Sequence, residues 1–104
     1  MDTEELTMAA FEIILNSGNA RAVVHEAFAA MREDNYVLAA AKLQEANDEI
    51  LKAHQAQTHL LQEYAGGTEV KIEIIMVHAQ DHLMTTMTLR EVALEMLELY
   101  KKIK

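Results

Sequence analysis

The sequence has no cysteine and no proline, and glycine appears only at Gly18, Gly66 and Gly67 among 104 residues. Lacking cysteine, the chain can form no disulfide, thiol nucleophile or thiolate metal site, which fits a reducing cytoplasm. With so little proline and glycine, little in it interrupts a long helix. Basic residues are also scarce. Nine lysines and arginines face 17 acidic side chains, giving a formal net charge of −8, and the one basic cluster is the tail Lys101, Lys102, Lys104. Such a surface has little with which to neutralise phosphates, which disfavours nonspecific nucleic-acid binding, and it could instead dock on a basic partner. No run approaches the roughly 20 apolar residues of a membrane span. The opening "MDTEELTMAAFEIILNSG" is acidic and polar-interrupted, unlike a signal peptide.

What remains is helical in character. Half of the residues, 51%, are apolar and 25% are charged, an ordinary soluble composition. The length suits a single domain over residues 1–104, and a chain this short gains from an oligomer because it buries a modest fraction of its surface alone. The expected fold is all-α: an antiparallel three-helix bundle. The first helix spans Thr3 to Arg32, with Thr3 as its cap. Leu6, Ala10, Ile13, Ser17, Ala20, Val24, Ala27 and Met31 alternate steps of four and three along one stripe. Gly18 marks a candidate kink or break. "REDNY" is a turn signal with Asp34 or Asn35 as cap. The second helix runs from Tyr36 to Tyr64, with a stripe of Tyr36, Ala40, Leu43, Asn47, Ile50, His54, Gln57, Leu61 and Tyr64. After the loop "AGGTEVK", the segment "VKIEII" alternates as a strand would, but nothing else offers it a pairing strand. A third helix is therefore expected from Val70 to Lys102.

On a helical wheel the third helix has three faces. Ile72, Ile75, Met76, Ala79, Leu83, Met87, Leu94 and Leu97 would fill the core. Glu73, Gln80, Glu91, Glu95, Glu98 and Lys102 would face water. A third face, Ile74, His78, Asp81, His82, Thr85, Leu89, Val92, Met96 and Leu99, is apolar at both ends and polar in the middle. A lone bundle has no use for a second apolar face, so self-association is expected. Val77 and Met84 lie near this face as a candidate docking rim.

His78, Asp81, His82 and Thr85 sit at i, i+3, i+4 and i+7 on one side of that helix. Three chemistries fit: a metal site, acid–base work, or nucleophilic attack by a neutral imidazole on phosphorus. The histidines lack the H-E-x-x-H arrangement, so a zinc hydrolase is poorly supported. A polar interface cluster is the plainer alternative.

Longer motifs decide among these. "AFEIILNSGNAR", "KAHQAQT", "HAQDHLMT" and "ELYK" together resemble the lactose/cellobiose-type enzyme IIA of the bacterial sugar phosphotransferase system (PTS), along nearly the whole chain. Lys52 departs from that family's pattern, in which glutamate is usual. The resemblance implies a cytoplasmic phosphoryl carrier. Its histidine, His78 here, accepts a phosphoryl group from the carrier HPr. It passes the group to a cysteine of IIB, and so to a β-linked disaccharide of the cellobiose, diacetylchitobiose or lactose class entering through membrane-embedded IIC. It also implies a homotrimer in which Asp81 from three subunits shares one structural Mg²⁺. His82, Thr85, Gln80, Gln57 and His54 are candidate supporting residues, the last two across a subunit boundary. The competing expectation is a metal-stabilised helical interaction protein with no covalent step.

Overall fold

The computed structural model describes residues 2–71 and 73–103. Three helices, α1 (Thr3–Arg32), α2 (Tyr36–Ala65) and α3 (Ile74–Ile103), form a rod 53 Å long and about 20 Å across. Consecutive helices run antiparallel, so α1 and α3 run parallel. α1 is the central element, packing more extensively on each neighbour than these do on one another.

The stripe expected on α1 is the one buried: Leu6, Ala10, Ile13, Ser17, Ala20, Val24, Ala27 and Met31 are all enclosed. The helix passes through Gly18 without a break. Its cap is Asp2 and not Thr3; the Asp2 carboxylate accepts the Glu5 N–H at 2.7 Å. At the other end Asp34 adopts φ 62°, and the Asn35 N–H bonds back to the Ala30 carbonyl at 2.9 Å. That left-handed residue closes α1 in a Schellman-type turn. Asn35 then caps α2, its side chain accepting the Leu38 N–H at 3.1 Å.

On α2 the expected stripe is displaced. The buried residues are Ala39, Leu43, Ala46, Ile50, Ala53 and Leu60, whereas Ala40, His54, Leu61 and Tyr64 are exposed and Asn47 is half-buried. Ala39, Ala46 and Ala53 are fully enclosed on α2, which packs more extensively on α1 than on α3. His54 and Leu61, each one position past a buried residue, are turned outward.

The third helix begins at Ile74, four residues later than expected. Residues 68–71 and 73 form neither helix nor strand. Val70 packs against the core from this irregular segment, and the Glu73 carbonyl accepts the Val77 N–H at 3.1 Å to open α3. On α3 Met76, Ala79, Leu83 and Leu97 are buried as expected. Ile72 lies outside the described residues. Leu94 is exposed, and its place is taken by Ala93; Thr86 is also fully buried. Glu73 and Gln80, expected in water, are half-buried. Arg90 sits over the seam, its Nε–H donating to the Leu43 carbonyl of α2 at 2.8 Å. Among the described residues no helix is long and apolar enough to cross a membrane.

Candidate functional site

Side chains four apart on a helix project to the same side. His78 and His82 accordingly stack, their rings 11° from parallel with centroids 6.0 Å apart. His78 is exposed and His82 is half-buried. The difference comes from α1, which runs alongside α3 in parallel. Gly18 lies against the second ring: a Cβ placed there would stand 3.8 Å from His82 Nε2. The mid-helix glycine therefore faces His82 and forms no kink.

One turn further along, Arg21 crosses from α1 to α3. Its Nε–H donates to Thr86 Oγ1 at 3.2 Å and its Nη2 donates to Thr85 Oγ1 at 2.7 Å. Each hydroxyl in turn donates to its own helix, Thr85 to the Asp81 carbonyl at 2.8 Å and Thr86 to the His82 carbonyl at 2.7 Å. A hydroxyl has one proton. The Thr85 proton is thus engaged by α3, while its lone pair serves Arg21.

Burial holds His82 below the ordinary histidine value, and the positive charge of Arg21 and the neighbouring His78 push the same way, against Asp81. His82 is consequently neutral near pH 7, and it can offer either a donor or an acceptor nitrogen depending on its tautomer.

The remaining candidates lie apart from this cluster. His54 is exposed and pairs with Thr58 on its own helix at 3.4 Å. Gln57 is half-buried, and its Oε1 is enclosed without a hydrogen-bond partner among the described residues. Among those residues no hydrogen bond joins either side chain to His78 or His82. Gln80 lines a separate cleft of about 220 Å³ with Leu60, Tyr64, Val70 and Met76. Asp81 is exposed, and among the described residues no group of three metal-binding side chains occurs in the protomer. One carboxylate is too few for a hard cation. The donor set fits a metal only where several copies bring Asp81 together. Val77 and Met84 are about half exposed, at 53% and 51%, beside the histidine ridge.

Gly18 and Arg21 did not emerge as site residues from the sequence, although both stand in the motif "SGNAR". Their three-residue spacing places them on one side of α1. The signal was a glycine that interrupts no helix.

These features define an all-helical bundle that presents a reachable imidazole on a rigid helix. The family "PTS system, Lactose/Cellobiose specific IIA subunit" matches residues 8–101, and the chain belongs to that family. It is 47% identical over 100 residues to the lichenan-specific phosphotransferase enzyme IIA component of Bacillus subtilis (strain 168), covering 96% of this chain and 91% of that relative. Its fold matches the crystal structure of PtcA from S. mutans with a TM-score of 0.96 at 85% identity, over 97% of this chain and 99% of that one. It also matches the IIA(chitobiose) chain solved in complex with HPr from Escherichia coli, with a TM-score of 0.79 at 34% identity, over 99% and 97% of the two chains. The protein is thus a phosphotransferase-system IIA component of the lactose/cellobiose class.

Proposed function

We propose that His78 is the phosphoryl-carrying residue of this IIA component, loaded by phospho-HPr and discharged to the cysteine of a cognate IIB. The observation that carries the reading is the exposed His78 ring stacked on the half-buried His82 of the same helix. One imidazole is open to a visiting carrier, and the other is fixed beside it. The E. coli relative solved with HPr supports the choice of donor.

In the first step a lone pair on a His78 ring nitrogen attacks the phosphorus of phosphohistidine on HPr. A nitrogen–phosphorus bond forms as the carrier's own nitrogen–phosphorus bond breaks, and the carrier histidine leaves as neutral imidazole. In the second step the IIB thiolate attacks phosphorus, a sulfur–phosphorus bond forms and His78 is released. IIB then supplies the phosphoryl group to a β-linked disaccharide crossing IIC. Neither transfer consumes water, so the site contributes in-line placement and charge stabilisation. His82 is placed to donate a hydrogen bond to a phosphoryl oxygen. Thr85 reaches that role only by giving up its bond to the Asp81 carbonyl. Gln57 and His54 serve only if a neighbouring subunit carries them to His78.

Self-association completes the reading. The exposed apolar positions Ile74, Val92, Leu99 and Ile103 continue the ridge of His78 and His82 along α3. Packing three such ridges together would bury them and gather three Asp81 carboxylates, which repel unless a cation neutralises them. Oxygen ligands suit Mg²⁺, which Asp81 of each copy would hold as a structural ion. Incubation with phospho-HPr tests the function. The intact protein should gain one acid-labile phosphoryl mass on His78, and a chain that oligomerises yet never gains it would be an interaction protein only.

A further inference from the structure

The motif "SGNAR" places an arginine, Arg21, near His82, on the turn of α3 that carries Thr85 and Thr86. Arg21 is half-buried, and among the described residues no carboxylate pairs with it, although acidic side chains outnumber basic ones in a chain of net charge −8. Its hydrogen bonds go instead to two neutral hydroxyls, Thr85 and Thr86. Those hydroxyls are themselves oriented, since their protons are directed to the Asp81 and His82 carbonyls. The guanidinium is therefore gripped by lone pairs of fixed direction, and among the described residues the N–H groups of Nη1 make no hydrogen bond. A partly desolvated cation held this way, with its charge uncompensated, is the arrangement expected beside an anion that comes and goes.

We propose that Arg21 is a positioning residue for phosphoryl transfer, supplied by α1: clamped to Thr85 and Thr86, it sets a fixed positive charge behind His82 that favours a phosphoryl group arriving on His78. The proposal rests on His78 being the carrier. The α1 motif faces this turn of α3 at two points: Gly18 lies opposite the His82 ring, and Arg21, one turn on, fixes the adjoining turn of α3. The charge acts across about two helical turns, or roughly 10 Å. At that distance the attraction of a dianion and a cation changes an equilibrium by about fourfold at the dielectric of water and by more than about a hundredfold at that of a protein surface before screening, so an exposed, screened site should lie near the lower end. The effect should be screened, since the Debye length is about 8 Å at physiological ionic strength.

The test is the equilibrium of phosphoryl exchange between phospho-HPr and the full-length protein, read by intact mass at low and high salt. Wild-type protein should load. Arg21→Gln should lower the phosphorylated fraction at equilibrium by roughly three- to tenfold at low salt, with the gap to wild type narrowing at high salt. Arg21→Lys, which keeps the charge, should stay within about twofold of wild type. A purely structural brace would instead lower the melting temperature of both variants and show no narrowing with salt. Should Arg21→Gln fail to fold, Arg21→Lys decides alone: loading that falls in step with lost stability overturns the proposal. If wild type never loads, the carrier reading itself fails. If wild type loads and Arg21→Gln matches it at low salt, only the role of Arg21 is refuted.

Discussion

His78 and His82 stack on successive turns of α3, 11° from parallel, yet one ring is open to solvent and the other leans on α1. The asymmetry divides the labour. An exposed imidazole can meet a partner, and an enclosed one can hold a fixed direction. Replacing His78 with alanine should abolish acceptance of phosphate from phospho-HPr, because no other side chain occupies its place. Replacing His82 with alanine should leave acceptance measurable while slowing it roughly ten- to a hundredfold, the cost of losing a hydrogen bond to a charged group. Quench-flow phosphorylation of both variants distinguishes the roles, and undiminished loading of His78→Ala would refute the assignment.

His82 should titrate below the ordinary histidine value of about 6.5, because burial disfavours its charged form and Arg21 and His78 reinforce that effect. A histidine whose folded value is depressed stabilises the native state fully above the unfolded value, and that contribution is lost as pH falls through about 6.5 toward the folded value. Nitrogen-detected NMR titration should find His82 titrating at lower pH than a solvent-exposed histidine. Arg21→Gln should move it upward. A His82 titrating above about 6.5 would contradict the burial described here.

Gly18→Ala should raise stability by about 0.5–1 kcal/mol, since alanine is the better helix residue and the unfolded chain loses freedom. The added methyl would stand 3.8 Å from His82 Nε2, an ordinary contact. A larger side chain at this position should displace the His82 ring and slow phosphoryl transfer. Thermal unfolding of the alanine and leucine variants, with transfer rates alongside, checks both statements. Destabilisation by alanine would mean that α1 and α3 lie closer than this.

Ser17 is fully buried, and its hydroxyl finds no hydrogen-bond partner among the described residues. Ser17→Ala removes an unsatisfied polar atom and improves helix propensity, so it should be neutral or stabilising by about 1 kcal/mol. Urea unfolding reads the change. A loss of more than about 1 kcal/mol would reveal a bond made by that hydroxyl, to water or to another copy.

The fold was legible in the sequence to the extent that large side chains mark the core. On α1 the pattern of fours and threes identified every member of the expected stripe. On α2 the same reasoning followed Leu61, Tyr64 and His54, whereas the packed seam follows Ala39, Ala46 and Ala53, because alanine is buried by close helix approach and gives a weak apolar signal. The start of α3 was misplaced because Val70 is held against the core by tertiary packing of an irregular segment, which no local pattern encodes. The histidine ridge needed only the helical period. Arg21 did not emerge, because its partners lie 64 and 65 residues away and only the parallel register of α1 and α3 brings them together.

An exposed apolar ridge runs along α3 beyond the histidines. Val92 and Leu99 are 48% and 56% exposed on the face that carries His78, seven residues apart, the repeat of a helix seam shared between copies. Burying a side chain of this size is worth roughly 1.5–3 kcal/mol, whereas a carboxylate there would be placed against its own copies and repelled. Leu99→Glu should therefore shift the protein to monomer in analytical ultracentrifugation while leaving its helical circular dichroism intact, since this side chain lies outside the bundle core. Asp81→Asn should act in the opposite sense on metal dependence: with the three charges gone, the oligomer should survive chelation better than wild type does. An assembly indifferent to both changes would place the interface on another face, and His78 would then have to be served by its own subunit alone.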